Sequence, residues 1–303
     1  MPATAVTASR FRGLDGLRAL AALAIFLHHV GFWSGATFTG FWGNYLGRLD
    51  IGVPVFFSLS GFLLFRPIVV SVLSDGRPPR PAGEHLWRRA LRIYPAFWVA
   101  LTLIVAFTSE EFVDVTGALV TYLLVHIHWP THTIGPMPQA WSLATEVSFY
   151  LALPVIARLA RPVLAGRSHR TRVAGLFAVT AGCYLLSIAF RVFVFGLDNR
   201  WTASALLWLP STFDYFAIGM ALAVAHVGLR QGSGLRDRVE RLAAPAGLWW
   251  IAGFVAFTIV SQWMGLALGL ETASWPREMA RQFVYGVVGF TLLFPLVFGT
   301  TTR

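Results

Sequence analysis

Lysine is absent from the chain. All 24 basic residues are arginine, so Schiff-base chemistry on a lysine is excluded, and every fixed cation is a planar guanidinium suited to phosphate or carboxylate. A codon bias toward GC would produce the same absence without any functional demand. Cysteine occurs once, as Cys183 inside an apolar stretch, which leaves no internal disulfide and no thiolate metal site. Charge is scarce: 13% of the 303 residues are charged, against 56% hydrophobic and 15% aromatic. Metalloprotease, phosphate-loop and dinucleotide-binding patterns are missing, as is any repeat of fixed period. His126 and His128 are two positions apart, a poor pair for one helix face, and His132 follows in a Pro- and Gly-rich loop. No bound metal is expected.

What fills the chain instead is apolar runs, at about 14–33, 51–73, 93–108, 113–128, 141–159, 173–196, 203–228, 247–270 and 279–300. Mean hydropathy is +0.64, far above the soluble range. At about 1.5 Å per helical residue most of these runs are long enough for a hydrocarbon core of about 30 Å. A bilayer offers the backbone no water, so continuous runs of this length must be helices. The expected fold is an all-α polytopic transmembrane bundle of about nine or ten helices, embedded in a cell membrane as one domain over residues 1–303.

The net charge of +10 is uneven. Residues 74–92 carry Arg77, Arg80, Arg88, Arg89 and Arg92 against two acids; residues 158–172 carry five arginines and no acid; residues 229–244 carry four against Asp237 and Glu240. Such connections belong on the cytoplasmic side, with a short cytoplasmic N-terminal segment at 1–13. The connections near 34–50, 108–114, 196–202 and 271–278 are neutral or acidic, as outer loops are. The basic excess is thus topological, and no nucleic-acid partner is needed. One count fails to close: three apolar runs separate the basic stretches 74–92 and 158–172, and an odd number of crossings would put them on opposite sides. Either one run does not span or the charge rule fails there. Both 93–108 and 113–128 are short.

The first apolar run carries the sharpest functional signal, Arg18 and His29. Eleven residues advance a helix by three turns to within about 20° of the starting direction and about 16 Å along it, so the two share one face. Asp15 joins the same stripe. An arginine inside a span costs on the order of 3 kcal/mol, which marks a functional site unless the side chain snorkels to the headgroups. Read as a secretory signal, residues 1–36 would have Arg18, His28 and His29 interrupting or flanking the apolar core, so a retained first helix is favoured. His28 points about 100° away and is assigned packing or a backbone bond.

Four further constellations follow. Gly52 to Phe62 brings Ser58 and Ser60 among small and aromatic residues, where they either line a site or permit close helix packing. Arg88, Arg89 and Arg92 with Tyr94 cluster at the mouth of the third helix, a surface fit for polyphosphate or an ordinary basic flank. Trp141, Ser142 and Glu146 open another helix; Ser142 reads as its N-cap, and the carboxylate one turn inside needs a partner such as His29 or an arginine. Asp214 lies in an apolar run, with Arg191 as a partner in a structural ion pair.

In order, Asp15-Gly16-Leu17-Arg18 with His29, the Gly52 stretch ending Ser60-Gly61-Phe62-Leu63, Arg89-x-x-Arg92 before Ile93-Tyr94-Pro95, Trp141-Ser142-Leu143 with Glu146, and Phe216-x-x-Gly219 resemble the acyltransferase-3 family of integral membrane O-acyltransferases. The resemblance runs in register from about residue 12 to residue 221, and beyond 230 only the helix pattern is alike. Members usually have about ten helices, so a chain with nine runs that stops right after the last is expected to be short or truncated at its C-terminal end. The resemblance implies transfer of an acetyl or other short acyl group from cytoplasmic acyl-CoA, with no tightly bound cofactor. The acceptor would be a hydroxyl on a glycan, lipid-linked sugar or small molecule such as a macrolide. It assigns His29 as base or acyl relay, Arg18, Arg89 and Arg92 to the donor and its phosphates, and Glu146 to orienting His29. Arg88 and Tyr94 join Arg89 and Arg92 in binding the donor, and Asp15, Ser58, Ser60, Trp141 and Ser142 line the site. The competing class is a proton-coupled solute carrier using Arg18, His29, Glu146 and Asp214. Duplicated halves with broken helices, frequent in carriers, are not seen.

Overall fold

The computed structural model describes residues 11–74, 81–197, 199–229, 233–266, 268 and 274–299, and among these no strand occurs. The helices are α1 Arg12–Trp33, α2 Gly40–Arg48, α3 Gly52–Leu73, α4 Ala82–Phe107, α5 Val115–Tyr122, α6 Trp141–Leu164, α7 His169–Leu197, α8 Thr202–Ala205, α9 Leu209–Gly228, α10 Gly234–Ala243, α11 Ala246–Gln262 and α12 Trp275–Phe298. Seven described segments are helical, long and apolar enough to cross a membrane, and the pair α10 and α11, bent by 61°, adds an eighth if taken as one span. The protein is an all-α, multi-pass membrane bundle, as composition required. Residues 1–10 of the expected N-terminal segment, and Asp75, Arg77 and Arg80 of the first basic connection, lie outside the described residues.

The run at 113–128 does not span. Asp114 caps α5 by accepting from the Gly117 amide at 2.6 Å, and α5 stops after 8 residues, about 12 Å of helix. The chain then turns through Leu124, at a φ of 57°, into a single 3-10 turn at His126–His128. Two candidate spans, α4 and α6, therefore remain between the basic stretches 74–92 and 158–172, and an even number returns the chain to the same side. Other boundaries shift as well. The connection at 34–50 contains α2, the run at 203–228 breaks between α8 and α9 ahead of Pro210, and in the run at 247–270 helix α11 ends at Gln262. The basic stretch 158–172 is mostly helix end, with only residues 165–168 between α6 and α7.

The chain packs as two compact units, residues 1–62 with 225–303, and residues 63–224. In the first, α1 lies against α2, the 3-10 turn Leu49–Ile51 and α12, and α11 pairs with both α12 and α2. Leu14, Leu17 and Ala21 form the buried stripe of α1, while Leu20, Leu23, Phe26, Leu27 and Val30 stay exposed on its apolar outer face. Gly52 is required at the crossing: a Cβ there would sit 2.5 Å from the Ala21 carbonyl oxygen and 2.7 Å from Ile25 Cγ1. Rings of Phe11, Phe62, His226 and Phe298 meet at centroid separations of 5.4 to 6.0 Å and close the other end of this unit.

In the second unit, Phe97, Leu101, Leu124, Ile127, Ala140 and Ala144 form a buried cluster, with Ile93, Tyr94 and Trp141 packed around it. Phe149 of α6 stacks on Phe216 of α9 at 4.1 Å. The non-helical chain after α5 is pinned by the Ile127 carbonyl, which accepts from the Ser204 hydroxyl and, at 2.7 Å, from Trp208 Nε1. Thr145 Oγ1 donates to the Leu207 carbonyl at 2.6 Å, fixing the start of α6 to the break before α9. The carbonyls of Ile127 and Leu207 are thus satisfied by side chains, as burial demands.

Candidate active site

His29 lies in the last turns of α1, half-buried, one turn beyond Ile25, which packs on the Leu49–Gly52 corner. That corner delivers Asp50, whose carboxylate acts electrostatically on the His29 imidazole. Tyr285 of α12 donates its hydroxyl to Asp50 Oδ1 at 2.5 Å, a short bond to an ionised acceptor. Tyr285 and Arg48 are each only 3% exposed, and both Arg48 and Arg281 act electrostatically on the Tyr285 hydroxyl. The Arg281 guanidinium lies 5.9 Å from the centre of the Tyr285 ring and pairs with Glu278 at 2.5 Å. The Asp50 carboxylate thus accepts a hydrogen bond from the Tyr285 phenol and acts on the His29 imidazole through its charge, with buried Arg48 and half-buried Arg281 near the phenol. A carboxylate so placed favours the cation that an imidazole becomes when it takes a proton.

The neighbouring His28 has a different fate, the one expected for it: Nδ1 donates to the Leu46 carbonyl at 3.2 Å, and its ring meets His29 edge-on at 5.2 Å. Arg18, three turns from His29, is half-buried and bonds Asp15 Oδ1 at 3.3 Å, within its own helix. Ser58 is buried, and Gly289 of α12 comes so close that a Cβ there would sit 3.1 Å from Ser58 Oγ, so this serine marks a tight helix contact. Ser60 is half-buried on the same helix.

The second unit gathers three of the expected residues, Arg89, Arg92 and Glu146, around Tyr150. The Tyr150 hydroxyl donates to Glu146 Oε1 at 2.7 Å. Arg89 lies over the Tyr150 ring at 5.8 Å and hydrogen-bonds its hydroxyl, while Glu146 and Arg92 both act on Arg89. His85, one turn before Arg89, meets the Tyr150 ring edge-on at 6.4 Å. Two guanidinium groups near one carboxylate leave an excess of positive charge, with Arg92 exposed. Arg88 points elsewhere and pairs with Glu84 at 2.8 Å on the helix surface. Tyr94 commits its hydroxyl to the Leu123 carbonyl at 3.0 Å and its ring to the apolar cluster, so it braces α5 against α4.

One local expectation is corrected. Ser142 is not the N-cap of α6: the cap position is Ala140, and Ser142 donates back to the Gln139 carbonyl at 3.1 Å. Trp141 belongs to the apolar cluster around Phe97. Asp214, 3% exposed, accepts from Ser187 Oγ of α7 at 2.9 Å, and Arg191 of α7 sets its guanidinium 5.7 Å from the Phe195 ring.

Several members of both groups escaped sequence reading. Tyr150 extends the Ser142–Glu146 face by one more turn, so a longer look along that stripe finds it. Asp50 had only its place two residues before Gly52. Tyr285 had no signal at all, since 235 positions separate it from Asp50.

The loop histidines are structural. His126, 1% exposed, has its imidazole pKa lowered from 6.5 to about 4, by burial first and by the nearby His128 second. Among the described residues no group of three His, Cys, Asp or Glu is placed to hold a metal ion.

The sequence is similar to known proteins. Over residues 11–301 the chain matches the acyltransferase domain. It is 28% identical over 264 residues to acyltransferase MdmB of Streptomyces mycarofaciens, covering 79% of this chain and 64% of that one. To nodulation protein 10 of Rhizobium leguminosarum it is 24% identical over 267 residues, covering 80% and 65%. To the O-acetyltransferase OatA of Staphylococcus aureus it is 27% identical over 159 residues, covering 48% and 24%. The chain thus spans between a quarter and two thirds of the length of these relatives. No solved structure matches it significantly. A domain match over nearly the whole chain, on a helical membrane bundle, shows that the chain belongs to the acyltransferase-3 family.

Proposed function

We propose that this protein is a membrane O-acyltransferase that moves an acetyl or other short acyl group from acyl-CoA to a hydroxyl of a glycan or related acceptor. His29 is the general base. It takes the proton of the acceptor hydroxyl as that oxygen attacks the acyl carbonyl; the C–O bond forms, the C–S bond breaks, and the proton passes to the departing thiolate. The observation that carries this reading is the Asp50 carboxylate, bonded by Tyr285 and acting through its charge on His29. Such a base contributes roughly 10² to 10⁴ in rate. We assign to Asp50 the orienting role first given to Glu146. Glu146 and Tyr150 instead shape the surface on which Arg89 and Arg92 meet the donor phosphates, in the fork geometry that guanidinium offers. Arg18, steadied by Asp15, serves the donor from the same stripe as His29.

The arginine-rich connections are assigned to the cytoplasm, where acyl-CoA is made, and the N-terminus with them. The acceptor classes that support the reading are those the relatives' names carry, O-acetylation above all.

The test is transfer of radiolabelled acetyl from acetyl-CoA by membranes holding wild type or His29→Ala at equal abundance. Transfer should fall by at least 10² in the variant. Unchanged transfer removes His29 from the mechanism, and solute flux without acyl turnover favours a carrier.

A further inference from the structure

Helix α10 (Gly234–Ala243) carries none of the residues assigned to acyl transfer, yet it is firmly seated. Its inner face holds Arg236, 6% exposed, which bonds Glu240 at 2.5 Å and the His226 carbonyl at 2.8 Å and stacks over Phe298 at 5.3 Å. Ala243 is fully buried on the same face. At its start Ser233 accepts from the Arg236 amide at 3.2 Å, and at its end Trp249 Nε1 of α11 bonds the Leu242 carbonyl at 2.8 Å. The flank about 100° around from the inner face is exposed. Leu235 and Leu242, seven residues apart and so nearly aligned, are each 59% exposed, and Leu248 in the first turn of α11 continues the apolar strip at 66%. Arg238 and Arg241, both exposed, run along one side of the leucines, with Asp237 beyond them.

We propose that α10 lies in the headgroup layer of the bilayer and binds anionic phospholipid through Arg238 and Arg241, with Leu235 and Leu242 entering the acyl boundary. The 61° bend between α10 and α11 tips α10 toward the membrane plane when α11 crosses the membrane. Around the helix the order is apolar, cationic, acidic, which is the order acyl chain, phosphate and water present to a helix lying flat. Arg236 is neutralised by Glu240, so the two bare arginines supply the charge a phosphate meets. Trp249 and Trp250 follow at once, at the depth where interfacial tryptophans collect.

The test uses the full chain with Cys183→Ser, spin-labelled singly at Leu235→Cys, Leu242→Cys or Asp237→Cys, in nanodiscs of phosphatidylcholine with 0 to 50% phosphatidylglycerol. The leucine labels should favour oxygen over a nickel chelate as collision partner, and the aspartate label the chelate. Preference for phosphatidylglycerol, read by native mass spectrometry, should drop about fivefold for each of Arg238→Gln and Arg241→Gln. Chelate access at all three labels would overturn the proposal and leave the face for a soluble partner. Buried leucine labels with no headgroup preference would overturn the anionic-lipid assignment.

Discussion

Tyr285→Phe is the cleanest perturbation of the Asp50 carboxylate. It keeps the ring that packs beneath Arg281 and deletes only the hydroxyl that donates to Asp50 at 2.5 Å. A hydrogen bond to a charged group is worth about 1.5–3 kcal/mol, and a carboxylate freed of it can rotate or recruit Arg48 instead. If that bond holds Asp50 against His29, its whole value appears in the transition state, and acetyl transfer should slow by about 10- to 100-fold. Asp50→Asn should cost at least as much, because the amide offers a neutral partner to an imidazole that must become a cation. Groups acting as one unit are not additive, so Tyr285→Phe in the Asp50→Asn background should cost little more. The assay is initial rate with radiolabelled acetyl-CoA, at saturating donor, in membranes matched for inserted protein. A full-rate Tyr285→Phe enzyme, or two losses that multiply independently, would show that the phenol serves packing alone.

Arg89→Ala with Arg92→Ala should raise the apparent KM for acetyl-CoA by about tenfold, and the effect should shrink in high salt, since Arg92 is exposed. A double variant that fails to insert, or inserts with unchanged KM, reduces the cluster to a topology signal. Stability should also depend on pH through His126. Its folded pKa near 4 lies below the unfolded 6.5, so below pH 6.5 the unfolded chain binds the proton first. Stability of the 123–140 segment is therefore fully present above pH 6.5 and falls by about 3 kcal/mol as pH drops to 4. Hydrogen exchange of that segment at pH 7 and pH 5 measures this, and His126→Leu should flatten the dependence; equal exchange at both pH values would refute it.

The amino-acid sequence by itself determined the class. Apolar runs in a solvent that cannot hydrogen-bond the backbone leave only helices, and guanidinium and imidazole eleven residues apart share a face because helix geometry is fixed before any packing occurs. Local spacing also brought Glu146 to notice and sent His28 to a backbone carbonyl. Only the tertiary structure decided that 113–128 stops after two turns of helix: its Leu124 and Ile127 are spent on a buried cluster with α4 and α6, a use that hydropathy cannot tell from spanning. The same holds for Tyr94, spent on the Leu123 carbonyl, and for Asp50, which gains its meaning from a phenol 235 positions away. Periodicity governs contacts within a helix, whereas contacts between helices depend on how ridges, glycines and turns let whole segments meet. A long-range hydrogen bond therefore leaves no trace in the spacing of its own residues.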